Sequence, residues 1–380
     1  MLQPFNILRL SQSLGSALVL LYSVSLQAAE KPAFNYDAYT HSVEQTQLQQ
    51  IQEFIGLSTR LNQTTQKACT SSGQQNHAPL QDWPSLPTLQ EQWRNTYQQW
   101  QRLQVFPLGP NNDVTTRLNI SFWPDKKNLV ERKARALLKQ GDQAELKNGG
   151  IALQGLTASE YLLFDPKHLK HSTPADSCHL LMAITYKSQE NATAMLTRWQ
   201  QSEFLSHWHD AALGNDSFAS TKQATGYLMD GLAQTLEQMA KYKLYKPFRL
   251  NDADAQPNPY LAENWRSDQG LVSLKTNLDQ IEDYYFGLTV QGQTQPVNGP
   301  DLLLRHLGFA DEADAIKDAF KQTQSQLDTL MAMGSEAYQT MAGKTEATAL
   351  NLQIKTLERA LKKPLPHFQL AQRFNSADGD

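Results

Sequence analysis

The sequence predicts an all-α protein built as two helical-bundle domains packed side by side, and three observations carry that expectation. Apolar residues recur with a period near 3.6 wherever a pattern exists, alternation of period two is nearly absent, and turn-forming segments leave about four substantial helices in each half. Leu48, Ile51 and Ile55 begin the first helical pattern. Leu89, Trp93, Tyr97, Trp100 and Leu103 make a second, and Thr88 with Glu91 three residues on reads as a capping box at its start. In the second half the spacing returns at Leu228, Leu232, Leu236 and Met239, then at Leu271, Leu274, Leu278, Ile281 and Tyr285. Ile316, Phe320, Thr323, Leu327 and Leu330 follow, and Leu350, Ile354, Leu357 and Leu361 close the series. The one short alternating stretch, "LTVQGQTQPV" (Leu288 to Val297), carries Gly and Pro and predicts a loop or a small hairpin.

Three segments rich in turn formers read as loops: "FDPKHLKHSTPADSC" (Phe164 to Cys178), "ALGNDSFAST" (Ala212 to Thr221) and "KPFRLNDADAQPNPY" (Lys246 to Tyr260). The middle one sets the expected domain boundary, giving an N-terminal domain over 35–211 and a C-terminal domain over 212–376. Residues 1–28 read as an export signal: Arg9 is the only early charge, Leu14 to Leu26 is apolar, and the small Ala28 and Ala29 precede Glu30. A cleaved signal places the mature protein in the periplasm; left uncleaved, the same segment would anchor it to the membrane. Cleavage removes one Arg and no acid, so the formal charge moves from -4 to -5, with 33 basic against 38 acidic residues. That balance, with no basic stripe along the chain, disfavours nucleic acid as a partner. Cys69 and Cys178 both survive cleavage, and in an oxidising compartment such a pair points to a disulfide rather than a metal site or a nucleophile.

The stretch "GIALQGLTASEYLLF" (Gly150 to Phe164) holds one carboxylate, Glu160, among largely apolar residues, and burying it unpaired would be costly. Read as one helix, it places Gln154, Thr157 and Glu160 on a single polar stripe, with Gly155 beside it where a backbone or a ligand can come close. This is either a ligand site organised around Glu160 or a carboxylate neutralised by a structural arginine. "TTRLNISFWPD" (Thr115 to Asp125), read as irregular chain, offers Arg117 and Trp123, a pairing that holds ligands in loops. "AENWRSD" offers Glu263, Arg266 and Ser267 just before the helix near Leu271, with a capping arrangement and an i, i+3 ion pair as the plainer alternative.

Taken together, "FPLGP", "RLNISFWPD", "QGLTASEYLLFD" and "AENWRSDQGLVSL", at these separations after an export signal, resemble the imelysin family of bacterial envelope proteins over about residues 35 to 370. The resemblance implies two domains, each around a four-helix bundle, with the functional site where they meet. It also implies kinship with a secreted metallopeptidase and with proteins of iron uptake. The family's Gly-x-His-x-x-Glu motif falls on Gly155 and Glu160, but Thr157 stands at the His position. A His and a carboxylate at i and i+3 can share a transition metal such as iron, whereas a threonine hydroxyl is a poor ligand, so Glu160 is left as the single metal candidate. The histidines offer no substitute by spacing: His168 and His171, and His207 and His209, read as solvated surface pairs. No Gly-x-Ser-x-Gly elbow or phosphate-cradling glycine loop is present.

The expectation is therefore a periplasmic, imelysin-like protein that binds a small ligand or peptide in an interdomain cleft in connection with iron uptake. Envelope iron-uptake components are its expected partners. The ligand classes left open are a metal ion, a metal chelate, an anion and a peptide; Arg117 and Arg266 near Glu160 would favour the anion. An active metallopeptidase and an envelope scaffold without a ligand site are the alternatives.

Overall fold

The apolar periodicity is realised as helix almost throughout the computed structural model, which describes residue 1 and residues 34–71, 78–143, 145–290, 292 and 295–370. The expected export segment and the end of the expected C-terminal domain lie outside the described residues. The helices run in order α1 (Tyr36–Ser71), α2 (Leu86–Leu103), α3 (Val114–Ile120), α4 (Leu129–Leu138), α5 (Leu156–Phe164), α6 (Pro166–His171) and α7 (Pro174–Gln200). They continue as α8 (Glu203–His209), α9 (Thr221–Gln238), α10 (Gly270–Phe286), α11 (Pro300–His306), α12 (Ala310–Met331) and α13 (Met341–Lys362). The alternating stretch is a minimal antiparallel pair, β1 (Gly287–Leu288) with β2 (Val297–Asn298).

Around α1 pack α2 and α7, with α5 against both α2 and α7; α13 packs on α9 and α12, and α10 closes that second group. The anticipated link between halves, near residue 212, lies between α8 and α9, yet α10 also packs on α2 and α9 on α1. From Phe34 on, the described chain forms one compact unit. Polar side chains stitch the halves inside it. Gln50 donates to Gln280 at 2.7 Å, Asn277 to the Gln101 carbonyl at 2.7 Å, and Tyr39 to the Tyr284 carbonyl at 2.6 Å. Buried amides need such partners, so these bonds fix the register of α10 on α1 and α2.

Several local expectations are corrected, most of them at helix starts. The Thr88 capping box is not made: α2 begins earlier, after Ser85, with Pro at its first turn, which leaves Thr88 inside the helix. A capping box exists instead at α7, where Thr173 and Asp176 exchange bonds of 3.2 and 2.8 Å. The Phe164 to Cys178 stretch is not a loop but α6 and the start of α7. Its Asp165 accepts from the amides of Lys167 and His168 at 3.1 and 3.0 Å, so Asp and Pro act there as helix-start signals. Likewise Asp113 accepts from Thr116 N at 2.7 Å and turns the expected irregular segment around Arg117 into α3. The rod expected from Gly150 to Phe164 is broken in two. Gly150 has a φ of 66° and Gly155 is extended at -143°, so α5 starts only at Leu156 and Gln154 is not on its polar stripe.

Gly155 has a reason of its own: a Cβ there would collide with the Ile120 and Asn119 carbonyls at the end of α3. Asn191 of α7 donates to the Asn119 and Gln154 carbonyls, 3.0 Å each, and pins the same junction. The expected disulfide is present, joining Cys69 at the end of α1 to Cys178 in α7 across 109 residues. Constraining so long a loop of the unfolded chain stabilises the fold by about 3–5 kcal/mol. Chemical denaturation of Cys69→Ser/Cys178→Ser beside wild type should read a loss of that size; a loss under about 1 kcal/mol would contradict it.

Candidate functional site

Every residue of α5 is buried, and Glu160 is only 1% exposed. Its compensation comes from the segment that leads into α10. Ser267 donates twice to Glu160 Oε1, from its backbone N at 3.0 Å and from Oγ at 2.7 Å. Asn264 and Asp268, with φ of 54° and 56°, take left-handed conformations and fold this segment tightly about Ser267. Burial pushes the Glu160 carboxyl up to about 7, although the Ser267 bonds and the nearby Arg266 charge act against that rise.

Neither expected arginine forms an ion pair with Glu160. Arg266 instead bonds Asp165 at 3.0 Å and Glu131 at 3.4 Å, and lies over the rings of Trp265 and Tyr161. Arg117, mostly buried in α3, interacts electrostatically with Glu263 and Lys243. Glu263 makes no i, i+3 pair with Arg266; it pairs with Lys243 at 2.6 Å and accepts from Tyr97 at 2.5 Å and Gln101 at 3.0 Å. Burial opposes ionisation of Glu263, but Lys243, Tyr97 and Gln101 outweigh it and hold the carboxyl below its usual value. Thr157 shares a 3.1 Å hydroxyl contact with Ser121, so its oxygen is already engaged.

These groups adjoin a cleft of about 1150 Å³. Of the residues singled out in the sequence, Thr157, Glu160, Trp123 and Arg266 line it. Ser267, Glu263, Arg117, Gln154 and Gly155 are not part of the lining. The remaining walls come from the chain after the Trp123–Pro124 cis bond and from a π-helical continuation of α9, Met239–Tyr245. Sequence reasoning missed Lys243 and Tyr97 as partners of Glu263, and Asn264, whose buried Oδ1 has no hydrogen-bond partner among the described residues. The lysine-tyrosine run "KYKLYK" was the available signal for the π-helical wall.

The residues do not fit a resident transition metal. Glu160 is committed to Ser267, Asp165 and Glu131 to Arg266, and Glu263 to Lys243, and Asp125 caps α4 through Leu129 N and Val130 N at 2.7 and 2.9 Å. Among the described residues no group of three His, Cys, Asp or Glu is placed to hold a metal ion. None of the histidines of the two pairs lines the cleft. His168 is not solvated: it is buried between Ser172 and Ser177, 3.0 and 3.1 Å away, and burial lowers its pKa to about 4. His207 and His209 turn to separate partners, Ser217 at 2.7 Å and Glu44 at 3.1 Å.

The chain matches the family model described as Imelysin over residues 22–362. Its structure is similar to that of an imelysin-like protein from Psychrobacter arcticum 273-4, at 19% identity and TM-score 0.69, covering 89% of this chain and 97% of that one. A protein from Parabacteroides distasonis ATCC 8503, described as a candidate iron-regulated protein A precursor, is similar at 16% identity and TM-score 0.68 with the same coverages. At such identities the likeness is one of fold. No curated protein matches the chain.

The Glu263 cluster sets a stability test. Lys243→Met strands a buried carboxylate and should lower unfolding free energy by about 3–5 kcal/mol, whereas adding Glu263→Gln to it should recover part of that loss. A single variant as stable as wild type in urea would contradict the pairing.

Proposed function

The chain belongs to the imelysin family, and from that premise we propose that it is an exported binding protein that holds a ligand in the cleft beside Glu160 without metallopeptidase chemistry. The donor set carries this reading. A metallopeptidase needs about three protein ligands around the metal and an open position for water. Here Thr157 occupies the motif's histidine position, and its hydroxyl is turned to Ser121. Glu160 keeps the motif's carboxylate as an acceptor of hydrogen bonds from Ser267, and burial raises its pKa to about 7.

Several features support a ligand. At about 1150 Å³ the cleft is slightly larger than the roughly 300–1,000 Å³ usual for sites of small organic molecules. Its walls include the aromatic side chains of Trp123, Tyr242 and Trp265. The export signal read from the first residues supports a periplasmic location, and no helix among the described residues is long and apolar enough to cross a membrane. A tie to iron acquisition draws on the family resemblance and on the structural neighbour described as iron-regulated. Envelope iron-uptake components are the partners this role would need.

Titration calorimetry with iron, zinc and copper ions, wild type beside Glu160→Gln, tests the reading. We expect no stoichiometric ion binding that depends on Glu160; stoichiometric binding abolished in the variant would restore the metallopeptidase.

A further inference from the structure

The carboxylates that line the cleft are all spoken for inside the protein, but many of its cations are not. Asp125 caps a helix, Glu131 and Asp165 face Arg266, and Glu160 faces Ser267. Of the basic residues in the lining, Arg249 pairs with Asp252 at 3.7 Å and Arg266 is engaged as described. Lys126, Lys127, Lys167, Lys241 and Lys246 also line it, and none of them forms an ion pair among the described residues. The cleft therefore presents an excess of positive charge to whatever enters it.

Three of these lysines cluster. The π-helical stretch carries Lys241, Tyr242 and Tyr245 in the cleft lining, and Lys246, the residue that ends it, lines the cleft beside them. Lys246 Nζ lies 3.9 Å and Lys241 Nζ 5.8 Å from the Tyr242 ring centroid, and Trp123 meets the same ring edge to face at 6.1 Å. Lys126 follows Trp123 by three residues in a separate segment of the same lining. Burial, then the like charges of Lys126 and Lys241, brings Lys246 below the usual lysine range, in keeping with three cations held close without an anion. Like charges brought together at a cleft lined by partly buried aromatic rings are the arrangement expected where a ligand supplies the opposite charge and a flat face.

We propose that Lys126, Lys241 and Lys246, with Tyr242 and Trp123, form an anion-binding subsite that takes a multiply charged organic anion bearing an aromatic ring. The inference rests on the ligand-binding reading above and names the class of its ligand. The lysines supply the charge, and the rings select a flat body over an aliphatic one. Glu160, which lines the same cleft, is suited to a ligand hydroxyl or amide rather than to a second anionic group.

Calorimetry with benzene-1,3,5-tricarboxylate, propane-1,2,3-tricarboxylate and benzyltrimethylammonium tests both parts. The aromatic tricarboxylate should bind one to one and tightest, weaken as salt rises, and lose about tenfold in affinity in Lys246→Gln and in Lys241→Gln. Lys355→Gln, outside this cleft, should leave its affinity unchanged, and thermal melts of all three variants check that they fold. Affinity equal across the lysine variants, or absence of tricarboxylate binding, overturns the proposal. If the ammonium probe binds where the tricarboxylates do not, the anionic class is wrong while the cleft remains a ligand site. Failure of the ligand reading itself would show separately, as Glu160-dependent metal binding.

Discussion

Two buried carboxylates, Glu160 and Glu263, are the constraint on which the rest of the site depends. Neither could be carried into the interior without compensation, and both find it across the chain, where the segment leading into α10 meets α5 and α2. The two solutions differ. Glu263 has a lysine at 2.6 Å and remains ionised, while Glu160 has only the neutral donors of Ser267 in direct contact and is pushed toward protonation. Together they clamp the 263–269 segment in place, and that segment forms one wall of the cleft.

The helices with a single apolar face were legible because burial selects that face directly: the α2 series Leu89, Trp93, Tyr97, Trp100 and Leu103 is fully or nearly buried. Starts of helices were less legible, because Pro, Asp and Thr serve both loops and caps; the stretch from Phe164 to Cys178 shows the ambiguity resolved by Asp165 and Thr173. Glu160 could be singled out by its surroundings in sequence, but its partner is 107 residues away and spacing carries no information at that range. Long-range pairing likewise hid the link between Glu263 and Lys243. The sequence shows no basic stripe, because Lys126 and the Lys241–Lys246 pair belong to separate segments that meet only in the folded cleft.

The same geometry bears on what the family motif does here. Replacing its histidine by Thr157 removes a nitrogen donor and adds a hydroxyl that Ser121 occupies, so the carboxylate loses its natural metal-sharing neighbour. What remains is a carboxyl near its own midpoint at neutral pH, adjoining a cleft whose free charge is positive and whose walls are aromatic. Such a make-up is suited to hydrogen bonds, charge and stacking, and it is the basis of the binding role proposed above.

A raised carboxyl pKa also has a sign. Glu160 contributes stability that is complete below the unfolded value near 4.5 and is lost as pH rises through about 7, on the order of 3 kcal/mol in all. The most direct measurement is the titration of the Glu160 carboxyl carbon by NMR in carbon-13 glutamate-labelled protein, assigned by its absence in Glu160→Gln. A midpoint near 7 is the result this account predicts. A midpoint at the ordinary carboxylate value would mean that Glu160 is solvated or cation-paired, and would contradict the buried, Ser267-held carboxyl on which the site is built.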